Sequence, residues 1–202
     1  MEYNIYAIGI MTAIVSFLGF VVENIWLAIS KGYINNRNMN TPFLLGYGLL
    51  IMFMYFTIGT PGKLAEWKIF KKAKTKFAKY MVYFLCAMLI VSISEIVLGV
   101  VVEELCGFEY WNYSNIPLHI TKYTSVPTSM AFATLVGTEV YFVMGKLFNP
   151  IMNWIVQVDC TWIRVLSIIL IVIMAFDFII SFYHMIHNRN FYLKWKIIFR
   201  CK

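Results

Sequence analysis

Residues 81–102 read MVYFLCAMLIVSISEIVLGVVV, an apolar run interrupted by a single carboxylate, Glu95. About 20 apolar residues are needed for a helix to cross the hydrocarbon core of a bilayer. The bilayer interior has no water for backbone groups, so only helices and closed barrels can span it. Because the run is continuously apolar and does not alternate with period two, we predict a membrane-spanning helix.

Further runs of the same kind lie on either side of it. Charged residues make up only 13% of the 202 residues, whereas a soluble domain carries about a quarter. We therefore predict an all-α polytopic transmembrane helix bundle with about five spans. We treat residues 1–184 as one transmembrane domain and residues 185–202 as a basic C-terminal tail. The spans are predicted at residues 5–29, 43–58, 81–102, 127–148 and 162–183.

Two connecting segments have distinctive compositions. Residues 63–79 carry seven lysines with interleaved aromatic side chains, a pattern typical of a basic amphipathic helix at the membrane interface. Residues 103–126 form an aromatic-rich loop with three glutamates and one lysine. The basic segment should face the cytoplasm, which places this loop outside. Five spans would also place the basic tail outside, against the same rule, so either the span count is wrong or the tail is an exception.

Several functional classes find no support in the sequence. The net charge of +7 arises largely from lysines and arginines beside spans, which set topology and attract lipid head groups, so we predict no nucleic-acid partner. The four cysteines form no C-x-x-C pair, and we predict no metal or cofactor. No P-loop is present. No catalytic arrangement can be identified from spacing, so enzymatic activity is left open and a non-enzymatic role is favoured.

Carboxylates inside the predicted spans are the strongest functional signal. A charge at mid-bilayer costs about 2.5–3.5 kcal/mol or more, so such residues usually face the bundle interior and mark a site. Small and polar residues recur at helical spacing around them, which predicts closely packed, inward-facing stripes. The fourth span also carries a carboxylate, Glu139. The stripes comprise Gly9, Thr12, Ser16, Gly19, Glu23 and Ser30 in the first span, Ser92, Glu95, Gly99 and Glu103 in the third, and Asp177, Ser181 and His184 in the fifth.

The sidedness of these residues suggests one pocket. If successive spans alternate in direction, the C-terminal halves of the first, third and fifth spans lie toward the same membrane face. We expect a polar pocket there, with negative charge from Glu23 and Glu95 and with Arg37 as their partner or as an anion contact. Aromatic residues of the 103–126 loop either cap the pocket or anchor the loop at the interface. The predicted ligand-binding residues are Glu23, Arg37, Glu95, Trp111, Tyr113 and Asp177.

Several short segments occur in the same order as in a known family. Together they resemble the putative type IV ABC-transporter family, also called CmpB-like. Glycines common in that family are replaced by Asn38, Thr41 and Ala133, and Asn112 stands where Asp is common, so the chain resembles a divergent member. The matching segments are GFVVE at 19–23, NRNMNTPF at 36–43, YG at 47–48, EIVLG at 95–99, WNYS at 111–114, NP at 149–150 and DFII at 177–180.

The resemblance implies a permease in the plasma membrane of a bacterial cell. Such a protein would bind or pass a small solute or a lipid head group. A separate ATPase subunit would dock on the cytoplasmic side, with residues 63–79 as the expected contact. Membrane lipids are expected partners, and homo-oligomerisation stays open. Two alternatives also stay open, a membrane-embedded enzyme acting on lipid and a structural or regulatory membrane protein without a ligand.

Overall fold

Long apolar helices dominate the computed structural model, which describes residues 4–141, 146, 148–158 and 161–199. The helices are α1 Ile5–Lys31, α2 Leu45–Thr57, α3 Pro61–Leu64, α4 Lys76–Cys106, α5 Val126–Glu139, α6 Asn149–Val158 and α7 Thr161–Asn188. The short strands are β1 Tyr33–Asn35, β2 His119–Thr121, β3 Thr124–Ser125 and β4 Lys196–Ile198. This confirms the predicted all-α membrane class.

Four segments of the described chain are long and apolar enough to cross a bilayer. They are Ile5–Lys31, Leu45–Phe70, Lys76–Cys106 and Thr161–Asn188. The fourth predicted span, 127–148, begins as α5, where the Ser125 and Thr128 side chains form a reciprocal capping box. Its C-terminal part includes residues 142–145 and 147, which lie outside the described residues, so a crossing at this position stays a prediction.

The lysine-rich segment differs from its prediction. The continuous interfacial helix expected over residues 63–79 is wrong, because α3 ends at Leu64 and only one 3-10 turn, Lys68–Phe70, follows before α4 begins. The Thr75 hydroxyl accepts a hydrogen bond from the Ala78 N–H and thereby caps a new helix. The last lysines therefore belong to the first turn of α4, whose 31 residues extend over about 46 Å.

The chain divides into two compact units, and the first combines residues 1–52 with 148–202. Here α1 packs against α7, and the Ser167 hydroxyl donates a 2.7 Å hydrogen bond to the Tyr6 carbonyl. A Cβ at Gly9 would lie 3.0 Å from Ile171 Cγ1, and one at Gly19 would lie 2.7 Å from Tyr47 Cγ. The predicted first stripe is thus confirmed as a packing seam at these glycines, where small residues permit close approach.

The second unit covers residues 53–147 and is organised around α4. Helices α4 and α5 pack together, and the hairpin of β2 and β3 lies against both. Gly107, at φ 73°, ends α4 in the left-handed conformation and donates its N–H to the Glu103 carbonyl at 2.8 Å. The chain then turns back along the last turns of α4, which brings the aromatic-rich loop against the polar stripe of that helix.

Candidate functional site

Glu23 forms an ion pair in the first unit. Its Oε2 lies 2.9 Å from Nη2 of Arg37, and the Tyr47 hydroxyl donates a hydrogen bond to its Oε1. The side chains of Glu23 and Arg37 are only 16% and 22% exposed. Arg37 and Asn38 both adopt positive φ, 48° and 61°, in the tight turn that returns the chain toward α1. Both oxygens of this carboxylate therefore already have partners within the protein.

Asp177 binds the same loop, further along the chain. Its Oδ1 accepts hydrogen bonds from the backbone and side-chain amides of Asn40, both at 2.7 Å, and from the Ser181 hydroxyl at 3.1 Å. Its Oδ2 accepts the Thr41 N–H at 2.7 Å and the Thr41 hydroxyl. Five donors surround a carboxylate that is 6% exposed. This arrangement holds the first loop against α7.

A cleft of about 250 Å³ lies beside this loop within the first unit. Its polar wall is already engaged, because the Asn36 amide donates to the carbonyls of Met39 and Tyr192 and the Tyr192 hydroxyl donates to the Asn40 side chain. The remaining surface is therefore mainly apolar and aromatic. The cleft is lined by Phe20, Asn36, Met39, Asn40, Thr41, Pro42 and Trp195.

Glu95 lies in the second unit within a cluster of hydroxyl groups. Its Oε2 accepts hydrogen bonds from the hydroxyls of Thr124 at 2.6 Å and Ser129 at 3.2 Å. Ser92, one turn earlier on α4, donates to Ser129 at 2.9 Å. Within the described residues, no donor reaches Oε1 and no basic side chain lies within 4 Å of the carboxylate. Glu95 thus keeps one oxygen without a described donor and has no described cation beside it.

Lys122 and the tyrosine that follows it hold the aromatic-rich loop to the last turns of α4. Lys122 Nζ lies 2.7 Å from Glu103 Oε2 and 3.0 Å from Glu109 Oε1, and we call these three residues the Lys122 cluster. The Tyr123 hydroxyl donates a hydrogen bond to Glu103. The Tyr123 ring packs against Gly99, where an added Cβ would lie 2.6 Å from Cγ of that ring. Glycine is therefore required on this face of α4 for the loop to approach.

Trp111 and Tyr113 contribute to the internal structure of this loop. The indole N–H of Trp111 donates to the Tyr123 carbonyl at 2.8 Å, and its ring meets the Tyr110 ring edge-on at 5.6 Å. The Tyr113 N–H donates to the Lys122 carbonyl at 2.8 Å. The two residues thus cross-link the loop immediately before the strand that supplies Thr124 to Glu95.

Comparison with known proteins identifies the family. The family model described as Putative ABC-transporter type IV matches residues 10–182. The chain belongs to this family. The match covers the second unit of this ABC-transporter-family protein, most of the first unit and every predicted ligand-binding residue. No curated protein and no solved structure shows a significant match to the chain.

The structure of this ABC-transporter-family protein brings some predicted residues together and leaves others in separate units. Glu23, Arg37 and Asp177 share the first unit, whereas Glu95, Trp111 and Tyr113 share the second. A single pocket that unites the two sets stays a prediction. Within each unit, hydroxyls and carboxylates in the stripes of the third and fifth spans engage partners from loops and neighbouring helices. Glu139 is half-buried at the end of α5.

Several partners of these carboxylates were not assigned from the sequence. Tyr47, Asn40 and Thr41 complete the carboxylate environments of the first unit, and Thr124 and Ser129 complete that of Glu95. The family-like segments 36–43 and 47–48 contain the first three and were the available signal for them. Thr124 and Ser129 are common polar residues without a spacing pattern.

The Lys122 cluster should respond to pH. Hydrogen bonds from Asn112 and Lys122 lower the pKa of Glu109, so its contribution to loop stability is lost as pH falls through that lowered pKa. The hydrogen bond to Glu103, followed by that to Glu109, raises the pKa of Lys122, whose contribution is lost only at strongly alkaline pH. We expect the mobility of a spin label at Ser114→Cys to stay low through the ordinary glutamate range, about pH 4, and to increase only at more acidic pH.

The matched control for that experiment is Lys122→Gln, which removes the cation. The label should then already be mobile at pH 7 and should change little on acidification. Equal mobility of the label at pH 7 in the unsubstituted loop and in Lys122→Gln would contradict a role for these ion pairs in holding the loop.

Proposed function

We propose that this protein is the membrane-embedded component of a transporter and binds a small cationic solute or a cationic lipid head group at Glu95. The observation that supports this is the environment of the Glu95 carboxylate, which has hydroxyl partners on one oxygen only and no described basic side chain within 4 Å. A carboxylate inside a span usually has a partner or a transported ion. A ligand ammonium group would supply the missing positive charge.

The other carboxylates are assigned different roles in this proposal. Glu23 is neutralised by Arg37, and Asp177 is saturated by donors from the first loop and Ser181. We assign both to maintaining the structure of the first unit. Trp111 and Tyr113 are assigned to positioning the loop above Glu95, since each bonds the 122–123 backbone.

Ligand-dependent stabilisation tests the Glu95 site. Choline and ethanolamine supply the ammonium group, and a ligand at 100 times its Kd stabilises the folded state by about 2.7 kcal/mol. We expect either compound to raise the unfolding midpoint of the full chain in detergent and Glu95→Gln to abolish the rise. Glu104→Gln, which alters an exposed carboxylate on the same helix, is the matched control and should retain it. Equal responses of the two variants would contradict the proposal.

We also propose five membrane crossings. Strand β1 directly follows α1, β4 follows α7, and the two strands pair antiparallel, so both lie at one membrane face. The chain must therefore cross the membrane an even number of times between them. The described segments Leu45–Phe70, Lys76–Cys106 and Thr161–Asn188 contribute three crossings, and 127–148 is the remaining candidate for the fourth.

Labelling from the two sides of the membrane tests this count. In a cysteine-free background, we expect Asn190→Cys to react with an impermeant maleimide on intact bacterial cells and Lys74→Cys to react only after permeabilisation. Reaction of both cysteines from the same side would leave an even number of crossings between residues 74 and 190 and would contradict the topology.

We propose that the lysine segment, residues 63–79, faces the cytoplasm and offers a surface for an ATPase subunit. Its lysines at 63, 68, 71, 72, 74 and 76 are all exposed. We propose that a separate ATPase contacts this segment, as expected for an ABC transporter whose membrane chain carries no P-loop. Co-purification from the native bacterial membrane, with an alanine-substituted 68–74 segment as control, tests the contact. Recovery without an ATPase would count against the permease assignment while leaving the Glu95 site testable by ligand binding.

A further inference from the structure

The tail and the first loop form a two-stranded ribbon with unlike faces. In the pairing of β1 with β4, Ile34 lies opposite Ile197 and Tyr33 lies opposite Ile198. The Phe199 N–H extends the ladder by donating to the Gly32 carbonyl at 2.8 Å. Opposite residues of an antiparallel pair share a face, and successive residues alternate between faces. Ile34 and Ile197 therefore project from one face, and Tyr33 and Ile198 project from the other.

The face that carries Ile197 is apolar and exposed. Its neighbours two positions away along the chain are Trp195 and Phe199. Ile197 is 51% exposed, Trp195 is 41% exposed and Phe199 is 59% exposed. Trp195 also lines the cleft beside Phe20, so apolar surface continues from the ribbon toward α1. A row of large exposed apolar side chains of this kind is typical of a surface that contacts lipid or another protein.

The opposite face carries positive charge beside Ile198, which is 65% exposed. Lys196 lies on this face with Nζ 4.0 Å from the centroid of the Tyr33 ring, and Lys194 Nζ lies 5.4 Å from that of Tyr192. Contact with aromatic rings keeps these ammonium groups close to the ribbon while leaving them exposed. Basic residues at a membrane surface attract anionic phospholipids.

The position of the ribbon beside two candidate membrane spans favours a lipid surface as its partner. Strand β1 starts two residues beyond Lys31, the last residue of α1, and β4 starts eight residues beyond Asn188, the last of α7. Both helices are long and apolar enough to span a bilayer. We infer that this ribbon lies in the membrane interface, with Trp195, Ile197 and Phe199 among the upper acyl segments and with its lysines on anionic phospholipid head groups. The inference is independent of the Glu95 site.

A fluorescent probe on each face tests this inference. The full chain, without its native cysteines, carries nitrobenzoxadiazole at Ile197→Cys or, as the matched control one residue away, at Lys196→Cys. Each protein is placed singly in nanodiscs of phosphatidylcholine, with or without phosphatidylglycerol. We expect a lipid with a nitroxide near the top of its acyl chain to quench the probe at position 197 at least threefold more than the probe at 196. Aqueous acrylamide should give the reverse order.

A second comparison tests whether the two lysines are needed for the ribbon to contact anionic lipid. With the probe at Ile197→Cys, Lys194→Gln and Lys196→Gln together should reduce nitroxide quenching in nanodiscs with phosphatidylglycerol but not in phosphatidylcholine alone. Equal acrylamide quenching at both probe positions would overturn the inference. Shielding of position 197 from both quenchers would also overturn it, because a protein segment would then cover the face. If Ile197→Cys disturbs folding, Ile34→Cys places the probe on the same face from β1.

Discussion

Replacing Arg37 with methionine is expected to destabilise the protein more than replacing Arg37 and Glu23 together. Arg37→Met leaves the Glu23 carboxylate with the Tyr47 hydroxyl but without its cation, in a site where both ionic side chains are mostly buried. Removal of one member of a buried ion pair typically costs about 3–5 kcal/mol, and the partial exposure here places the expected loss near 3 kcal/mol. The apparent unfolding midpoint of the full chain in detergent measures it.

The double variant Glu23→Gln with Arg37→Met is the decisive comparison. It removes both charges and retains a side chain that can accept the Tyr47 hydrogen bond, so it should recover about half or more of the lost stability. Glu23→Gln alone leaves an uncompensated guanidinium and should also be destabilised. Additive losses in the double variant would mean that the two charges do not interact, and Glu23 would then be available for a ligand.

This comparison bears directly on the proposed function. Glu23 and Glu95 are equivalent in the sequence, since each is a carboxylate within a small and polar helical stripe. The structure separates them by their partners, because Glu23 has a cation and a phenol while Glu95 has hydroxyls on one oxygen. A site for a cationic ligand requires a carboxylate with spare charge. Glu95 meets that requirement within the second unit.

Helical periodicity explains which parts of the candidate site were predictable. The positions of Ser92, Glu95, Gly99 and Glu103 on one face follow from 3.6 residues per turn, and each meets a partner on that face. The partners themselves were not predictable. Thr124 lies 29 residues from Glu95 in a two-residue strand, and such a contact depends on how the loop folds back. The prediction of one continuous helix over residues 63–79 was wrong for a related reason. Its composition favours helix throughout and gives no sign that a new helix begins at the cap formed by Thr75.

Loss of the Asp177 carboxylate should have the largest effect of any single substitution considered for this protein. The carboxylate is buried and accepts five hydrogen bonds, and two of the donors are the backbone N–H groups of Asn40 and Thr41. In Asp177→Ala these groups lose their acceptor, and each unsatisfied buried donor costs about 1–3 kcal/mol. We expect a total loss of about 4 kcal/mol, which corresponds to a decrease of roughly 10 °C in the unfolding midpoint.

Graded variants distinguish an anchor for the first loop from a general packing role. Asp177→Asn keeps one acceptor oxygen and should lose about half as much stability, whereas Ser181→Ala removes a single donor and should lose about 1 kcal/mol or less. Hydrogen exchange of residues 36–42 gives the specific readout, because release of the loop should accelerate exchange there before the helices are affected. Equal exchange in Asp177→Ala and the original protein would show that the loop is held by other contacts, such as the Asn36 amide bonds to Met39 and Tyr192.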